Sequence, residues 1–299
     1  MKRHLIIYIA FTLLLAACGP TPSLPKRGGG NDAVATQLAL IDSLADVNPD
    51  SADVLLLNSL APLPTGEGQG VGLLLRIKVD DKLYRPITHY RDTILQLVSY
   101  FEHHPRVLPR LLGKTGPALP YLYAGRVFAD LGDAPQALDY YQSALDVMPD
   151  GQIENGEWKI ENEETRRLAK QRGLLHSFIG TLFSYQNLYD EALKHYKAAN
   201  RWAMTARDTI DVIFNLRDIA EQYKFLHIQD SSFAYYSKGL EYAVLVNSPR
   251  RIRDMKEQIA SLLVENGEYK RAKTYLTSSL ENVDTIAISA VYKAHPTNA

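Results

Sequence analysis

Residues Leu119–Pro149, LPYLYAGRVFADLGDAPQALDYYQSALDVMP, decide the fold. Tyr121, Ala124, Gly125 and Phe128 recur at the three- and four-residue spacing that puts side chains on one face of a helix. Gly132 and Asp133 supply a turn. Ala137, Tyr141 and Ala144 then share one face of a second helix, and Pro149 closes the unit. Small side chains let two antiparallel helices approach closely, and the aromatic rings fill the spaces left beside them.

That pattern resembles a tetratricopeptide repeat. The repeat carries a bulky residue at its position 4, small residues at 8, 20 and 27, aromatics at 11 and 24, and proline at 32. Counted from residue 118, Tyr121, Gly125, Phe128, Ala137, Tyr141, Ala144 and Pro149 fill those places. A second copy runs through His176, Ile179, Gly180, Phe183, Ala192, Tyr196 and Ala199, with its turn at Asn187–Asp190. Weaker copies run through Leu216, Ile219, Ala220, Tyr223, Ser232, Tyr236 and Gly239, and through Ile259, Ala260, Leu263, Gly267, Tyr269, Ala272, Leu276 and Ser279. The copies start at 118, 173, 213 and 253, so the offsets are 55, 40 and 40 rather than the usual 34. Longer helices or connectors are required, and the polar stretch 150–165 absorbs the first excess. Repeats in series imply an all-α, right-handed α-solenoid, because each helix pair buries a face that it could not bury alone.

Working outward, Leu38, Ile41, Leu44 and Ala45 keep helical spacing until Asn48-Pro49-Asp50, and Ser51 reads as the N-cap of a helix over Ala52–Leu60. Val71–Val79 and Asp92–Phe101 read as a degenerate helix pair, although Leu73–Val79 is also strand-like. At the start, Lys2 and Arg3 precede an apolar run, Leu5–Leu15, too short to span a bilayer. Leu15-Ala16-Ala17-Cys18-Gly19 resembles the lipobox of bacterial lipoproteins, which implies acylation of Cys18 after loss of residues 1–17. Two or three acyl chains would anchor the protein to a membrane durably, where one would hold only marginally. By resemblance to the sorting rules of diderm lipoproteins, Gly19 in place of an acidic residue implies an outer-membrane destination, facing the periplasm. The predicted organisation is a leader over 1–17, a flexible tether over 18–34, N-terminal helices over 35–117, four repeats over 118–284 and a tail over 285–299. LALIDSLADVNPDSADVLLLNSL (38–60) and DDKLYRP (80–86) further resemble tetratricopeptide lipoproteins frequent in Bacteroidetes, some of which are sensor halves of regulators.

Composition narrows the function. With 299 residues, 46% of them hydrophobic, the chain has enough apolar surface to close a core. Its 33 Lys and Arg balance 34 Asp and Glu, with no long basic run, which argues against nucleic acid as partner. One Cys excludes an internal disulfide framework and any multi-cysteine metal site. None of the eight His has metal-site spacing, and no HExxH, GxSxG or P-loop occurs. His176 falls at a packing position, His195 reads as a solvated helix edge, and Asp80-Asp81 and Glu163-Glu164 read as solvated ends or faces. The expectation is a protein without catalysis, cofactor or metal.

What remains is surface. The resemblance implies that the first helix of each pair lines a concave groove through repeat positions 2, 5, 9, 12 and 13. Those places hold Leu119, Leu122, Arg126 and Asp130; Leu174, Ser177, Thr181 and Tyr185; Phe214, Arg217, Glu221, Lys224 and Phe225; and Asp254, Glu257, Ser261 and Glu265. Aromatic and Arg side chains are favoured as interface anchors. The function expected is a membrane-anchored scaffold whose groove residues Arg126, Ser177, Thr181, Tyr185, Phe214, Arg217, Glu221, Lys224 and Phe225 hold an envelope protein or peptide. The alternatives are the periplasmic sensor portion of a signalling system, or a glycan-binding lipoprotein using Trp158 and Trp202.

Overall fold

The computed structural model describes residues 30–60, 67–149, 153–154, 157–158 and 160–278. The leader, Cys18, most of the tether, Ser279 and the tail lie outside them. The described residues are helical almost throughout. The N-terminal unit comprises α1 (Gly30–Val47), α2 (Pro49–Leu60), α3 (Glu67–Lys82), α4 (Arg91–His103) and the short α5 (Val107–Leu112). Repeat one is α6 (Leu119–Asp130) and α7 (Ala134–Asp146). Repeat two is α8 (Glu163–Tyr185) and α9 (Tyr189–Thr205), and repeat three is α10 (Thr209–Phe225) and α11 (Gln229–Leu245). Repeat four is α12 (Pro249–Glu265) and α13, over residues 269–278. Between repeats one and two, β1 (Ile153–Glu154) and β2 (Glu157–Trp158) form a minimal antiparallel ladder within the polar insertion.

The 40-residue offset has a simple origin. Helices α9 to α12 are each 17 residues long, about 25 Å, separated by three-residue turns. Each turn places one residue in the left-handed region: Asn187, Arg207, His227, Asn247 and Gly267, every 20 residues. The N–H following that residue then bonds back to a carbonyl five residues earlier, as in Leu188 to Phe183 (2.9 Å) and Ile228 to Tyr223 (2.8 Å). This satisfies a helix-end carbonyl that would otherwise be orphaned.

Close approach within the hairpins matches the sequence expectation. A Cβ on Gly125 would lie 2.4 Å from the ring of buried Tyr141, and one on Gly180 would lie 3.0 Å from that of Tyr196. A continuous apolar core runs from Leu38 to Leu182, and a second from Ile213 to Ala272. The seam between them is filled by Leu193, Tyr196 and Ile219, and by Ala203, Val212 and Leu216. No helix among the described residues is long and apolar enough to cross a membrane.

The N-terminal unit departs from its expected form in several ways. The first helix begins at Gly30, so residues 30–34, expected in the tether, are helical. Asn48 rather than Ser51 caps α2: its Oδ1 accepts the Ser51 N–H at 3.1 Å, and Pro49 needs no N–H at the first helical position. Leu73–Val79 is helix, not strand, and α3 packs chiefly on α1 and α2 while α4 packs on α6; the two do not form the hairpin expected.

Asp80 and Asp81 are not solvated ends either. Asp80 accepts from Arg85 (2.8 Å) and from the Tyr90 hydroxyl (2.6 Å), and Arg76 and Arg85 both reach Asp53 (2.5 and 2.7 Å). Burial and the bond to Asp80 push the Tyr90 hydroxyl up to about 12, while the hydrogen bond from Arg85 holds Asp53 below the usual carboxylate range. Deeper still, Lys78 (3% exposed) donates to the Asp42 carboxylate (2.8 Å) and carbonyl (2.9 Å) and to Asp46 (2.8 Å). Asp42 is also gripped by Arg167 of α8, which ties the N-terminal unit to the repeats. Ion pairs this dry persist only when every lone pair and proton finds a partner.

Candidate functional site: the concave groove

The groove residues expected from the repeat resemblance in repeats two, three and four lie on the first helices of those repeats, α8, α10 and α12. Ion pairs link these helices to one another. Lys224 of α10 reaches Glu265 of α12 (2.5 Å), and Lys170 of α8 reaches Asp208, the N-cap of α10 (2.7 Å).

The structure treats the groove residues unequally. Repeat one is occupied by the N-terminal unit. Leu119 and Leu122 are buried, and Arg126 donates to Asp81 of α3 (2.8 and 3.1 Å), pairs with Asp130 (3.4 Å) and lies 5.0 Å from the Phe178 ring. Arg126 is thus tied to other groups of the chain. In repeat two, Ser177 and Thr181 are half-buried. The Thr181 hydroxyl bonds the Ser177 carbonyl (3.0 Å) and the Tyr196 hydroxyl (3.1 Å). Tyr185 is 83% exposed at the end of α8. In repeat three, Phe214 and Phe225 are exposed. The Phe214 ring lies under the guanidinium groups of Arg217 and Arg251 (5.4 and 5.2 Å), and Phe225 stacks on Tyr189 at 5.0 Å. Arg217 grips its neighbour Asp218 through Nη2 (2.7 Å) and Nε (3.0 Å). Burial, together with the Asp218 charge, holds Glu221 above the ordinary carboxylate range, against Arg217 and Lys224.

Between α8 and α10 lies a cavity of about 220 Å³, lined also by Ala203 of α9. Ser177, Phe214 and Arg217 line it, together with Asp211, Asn215 and Asp218. Those last three were missed by position counting against the repeat. Their signal was present: spacings of four and three residues place three polar groups on one face of a helix otherwise occupied by Val212, Ile213, Leu216 and Ile219.

The rest of hairpin two corrects one expectation. His195 is not a solvated edge. It is half-buried, its Nδ1 lies 3.2 Å from the Nδ1 of His176, and its ring packs 5.5 Å from Phe183. His176 joins the two helices, as its packing position implied. Burial, and then His195, push His176 down to about 4, with Arg172 and Arg201 acting in the same direction; burial also lowers His195. Unfolded histidine takes up a proton below about 6.5, whereas folded His176 does so only near 4. The unfolded state therefore gains protons in this window, and stability falls as pH falls through it. His176→Gln is expected to flatten the fall of the melting temperature between pH 6.5 and 4.5. Parallel melting curves of the two proteins would refute this.

Among the described residues, no group of three or more His, Cys, Asp or Glu is placed to hold a metal ion. Trp202 is half-buried with the Arg172 guanidinium 5.6 Å from its ring, so that indole face already carries a cation. The side chain of Trp158 lies outside the described residues.

No family model and no curated protein matches the chain. Solved structures do resemble it. RapI in its apo form is 11% identical with a TM-score of 0.58, over 85% of this chain and 77% of that one. BtubC from P. vanneervenii is 11% identical with a TM-score of 0.55, over 90% and 93%. The signal transduction ATPase PH0952 from Pyrococcus horikoshii, which has a tetratricopeptide repeat sensor, is 10% identical with a TM-score of 0.53. It is matched over 90% of this chain and 39% of its own, so the chain spans about two fifths of that protein. At these identities the likeness is one of fold, a tetratricopeptide-like α-solenoid.

Proposed function

We propose that this protein is a non-catalytic scaffold, anchored to the outer membrane through acylated Cys18 and facing the periplasm, that holds a segment of another envelope protein in its groove. The observation that supports the groove reading is the exposure of large aromatics in repeats two and three, one of which, Phe214, has guanidinium groups over its ring. Tyr185, Phe214 and Phe225 stay accessible, and Arg217 is held over the Phe214 ring. Large rings with few rotors, next to donors already fixed in place, gain contact area at little entropic cost. Repeat one is filled by the N-terminal unit, so the partner-binding stretch is confined to repeats two to four. The leader and lipobox sequence supports the anchoring reading.

Replacing Arg217 and Phe225 together by alanine is expected to abolish capture of the protein that cross-links to the wild-type chain in intact cells, with helical circular dichroism unchanged. An undiminished cross-link in the folded double variant would dispose of the groove reading. Partitioning of a Cys18→Ser variant into the soluble fraction tests the anchor separately.

A further inference from the structure

We infer that the cavity between α8 and α10 is a binding site for an organic cation, a primary ammonium or guanidinium group. It would be carried by a small free molecule or by a Lys or Arg side chain of a bound segment. The inference goes beyond the scaffold reading, since the cavity would take the group from either source.

The reasoning begins with which groups are already satisfied. Of the charges lining the cavity, Lys170 is paired with Asp208 and Arg217 with Asp218. Asp211 is left over: among the described residues its carboxylate has no hydrogen bond or ion pair. One turn further along the same face, the Asn215 side chain is only 4% exposed and likewise makes no hydrogen bond. The Asn215 amide therefore meets the cavity with its hydrogen-bonding capacity unused by the protein, capacity that a ligand there would take up. On the opposite wall the Ser177 hydroxyl also lacks a partner among the described residues.

The cavity wall thus carries one formal negative charge, an amide and a hydroxyl that make no hydrogen bond to the protein among the described residues. Each of the three can accept a hydrogen bond, and the carboxylate can only accept. An ammonium brings three donors and a guanidinium five, and neither brings an acceptor. The Phe214 ring forms part of the wall. Gly173, Leu174 and Ala203 give an apolar bed for an aliphatic stem. A volume of about 220 Å³, several times the roughly 30 Å³ of one liquid water, holds a head group and its short stem. Burial and the neighbouring Asp208 raise the Asp211 carboxyl above its ordinary range, against Lys170 and Lys82. An incoming cation would relieve that strain.

Calorimetric titration of the purified protein with agmatine, with the capped tripeptide acetyl-Gly-Arg-Gly-amide and with inorganic phosphate tests the site. Saturable one-site binding of agmatine or the tripeptide is expected, weakened at least about tenfold by Asp211→Asn through loss of a charge-assisted bond. Ser177→Leu, which fills the cavity from α8 without touching the cap of α10, should weaken it comparably, so a folding defect in one variant leaves the other to decide. Tighter binding of the tripeptide identifies a partner side chain as the source; tighter binding of agmatine identifies a free molecule. Absence of saturable binding by both cations, undiminished binding in either folded variant, or binding of phosphate in their place overturns the inference. Each of these results can occur with the envelope cross-link intact, so failure here is distinguishable from failure of the scaffold reading.

Discussion

Replacing Lys78 by alanine is expected to lower the unfolding free energy by about 3–5 kcal/mol. Lys78 sits between Asp42 (1% exposed) and Asp46, with Nζ 2.8 Å from a carboxylate oxygen of each. Without it, Asp42 keeps only Arg167 as a cationic partner and remains walled off from water, so the loss is mostly the desolvation of an uncompensated charge. Lys78→Met retains most of the methylene packing and should be nearly as damaging, which separates charge from volume. Adding Asp42→Leu to Lys78→Met removes the stranded carboxylate and should recover a large part of the loss, since Arg167 is about a third exposed and can turn to solvent. Urea unfolding of the variants reads these differences as midpoint shifts. A shift for Lys78→Ala of less than about 1 kcal/mol, the scale of a surface pair, would show that the network is wet and weak.

Gly125→Ala should cost about 1–3 kcal/mol although it adds a single methyl group to a good helix former's position. The new Cβ would meet the Tyr141 ring at 2.4 Å, and that ring is itself fixed: it is 1% exposed and stacks on Phe178 at 5.5 Å. Helix α6 must then move away from α7, and the close approach that defines the hairpin is lost. Gly180→Ala, where the gap to Tyr196 is 3.0 Å, should cost less. Pairing Gly125→Ala with Tyr141→Leu should give less destabilisation than the sum of the two single changes, because the leucine vacates the space that the methyl enters. If Gly125→Ala proves neutral in thermal or urea unfolding, the small-residue signature at this position is not about helix approach.

Both results bear on what the sequence revealed and what it hid. The hairpins were legible because their determinants are local: Gly125 with Tyr141 and Gly180 with Tyr196 obey a short-range spacing that any reading of 34 or 40 residues exposes. The N-terminal unit was not, because its logic lies in pairs distant along the chain. Lys78 with Asp42 and Arg126 with Asp81 are charges whose burial no periodicity announces, so Asp80-Asp81 looked like an ordinary solvated end. For the same reason the first repeat's groove face appeared open while α3 and α4 in fact lie on it. Of the residues lining the cavity, counting positions against the repeat named Ser177, Phe214 and Arg217 but not Asp211 and Asn215. What sets those two apart is that their side chains lack partners among the described residues, which only three-dimensional neighbours can show.

The left-handed residues at 187, 207, 227, 247 and 267 have a consequence for how such a chain can change length. Loss of one residue inside α10 would rotate every later side chain by about 100° relative to the next helix, turning the Leu216–Ile219 stripe out of its seam. Gain or loss of 40 residues, one whole hairpin, would preserve phase at both junctions. Duplication or excision in hairpin quanta is therefore open to this protein, while single-codon drift within its helices is closed.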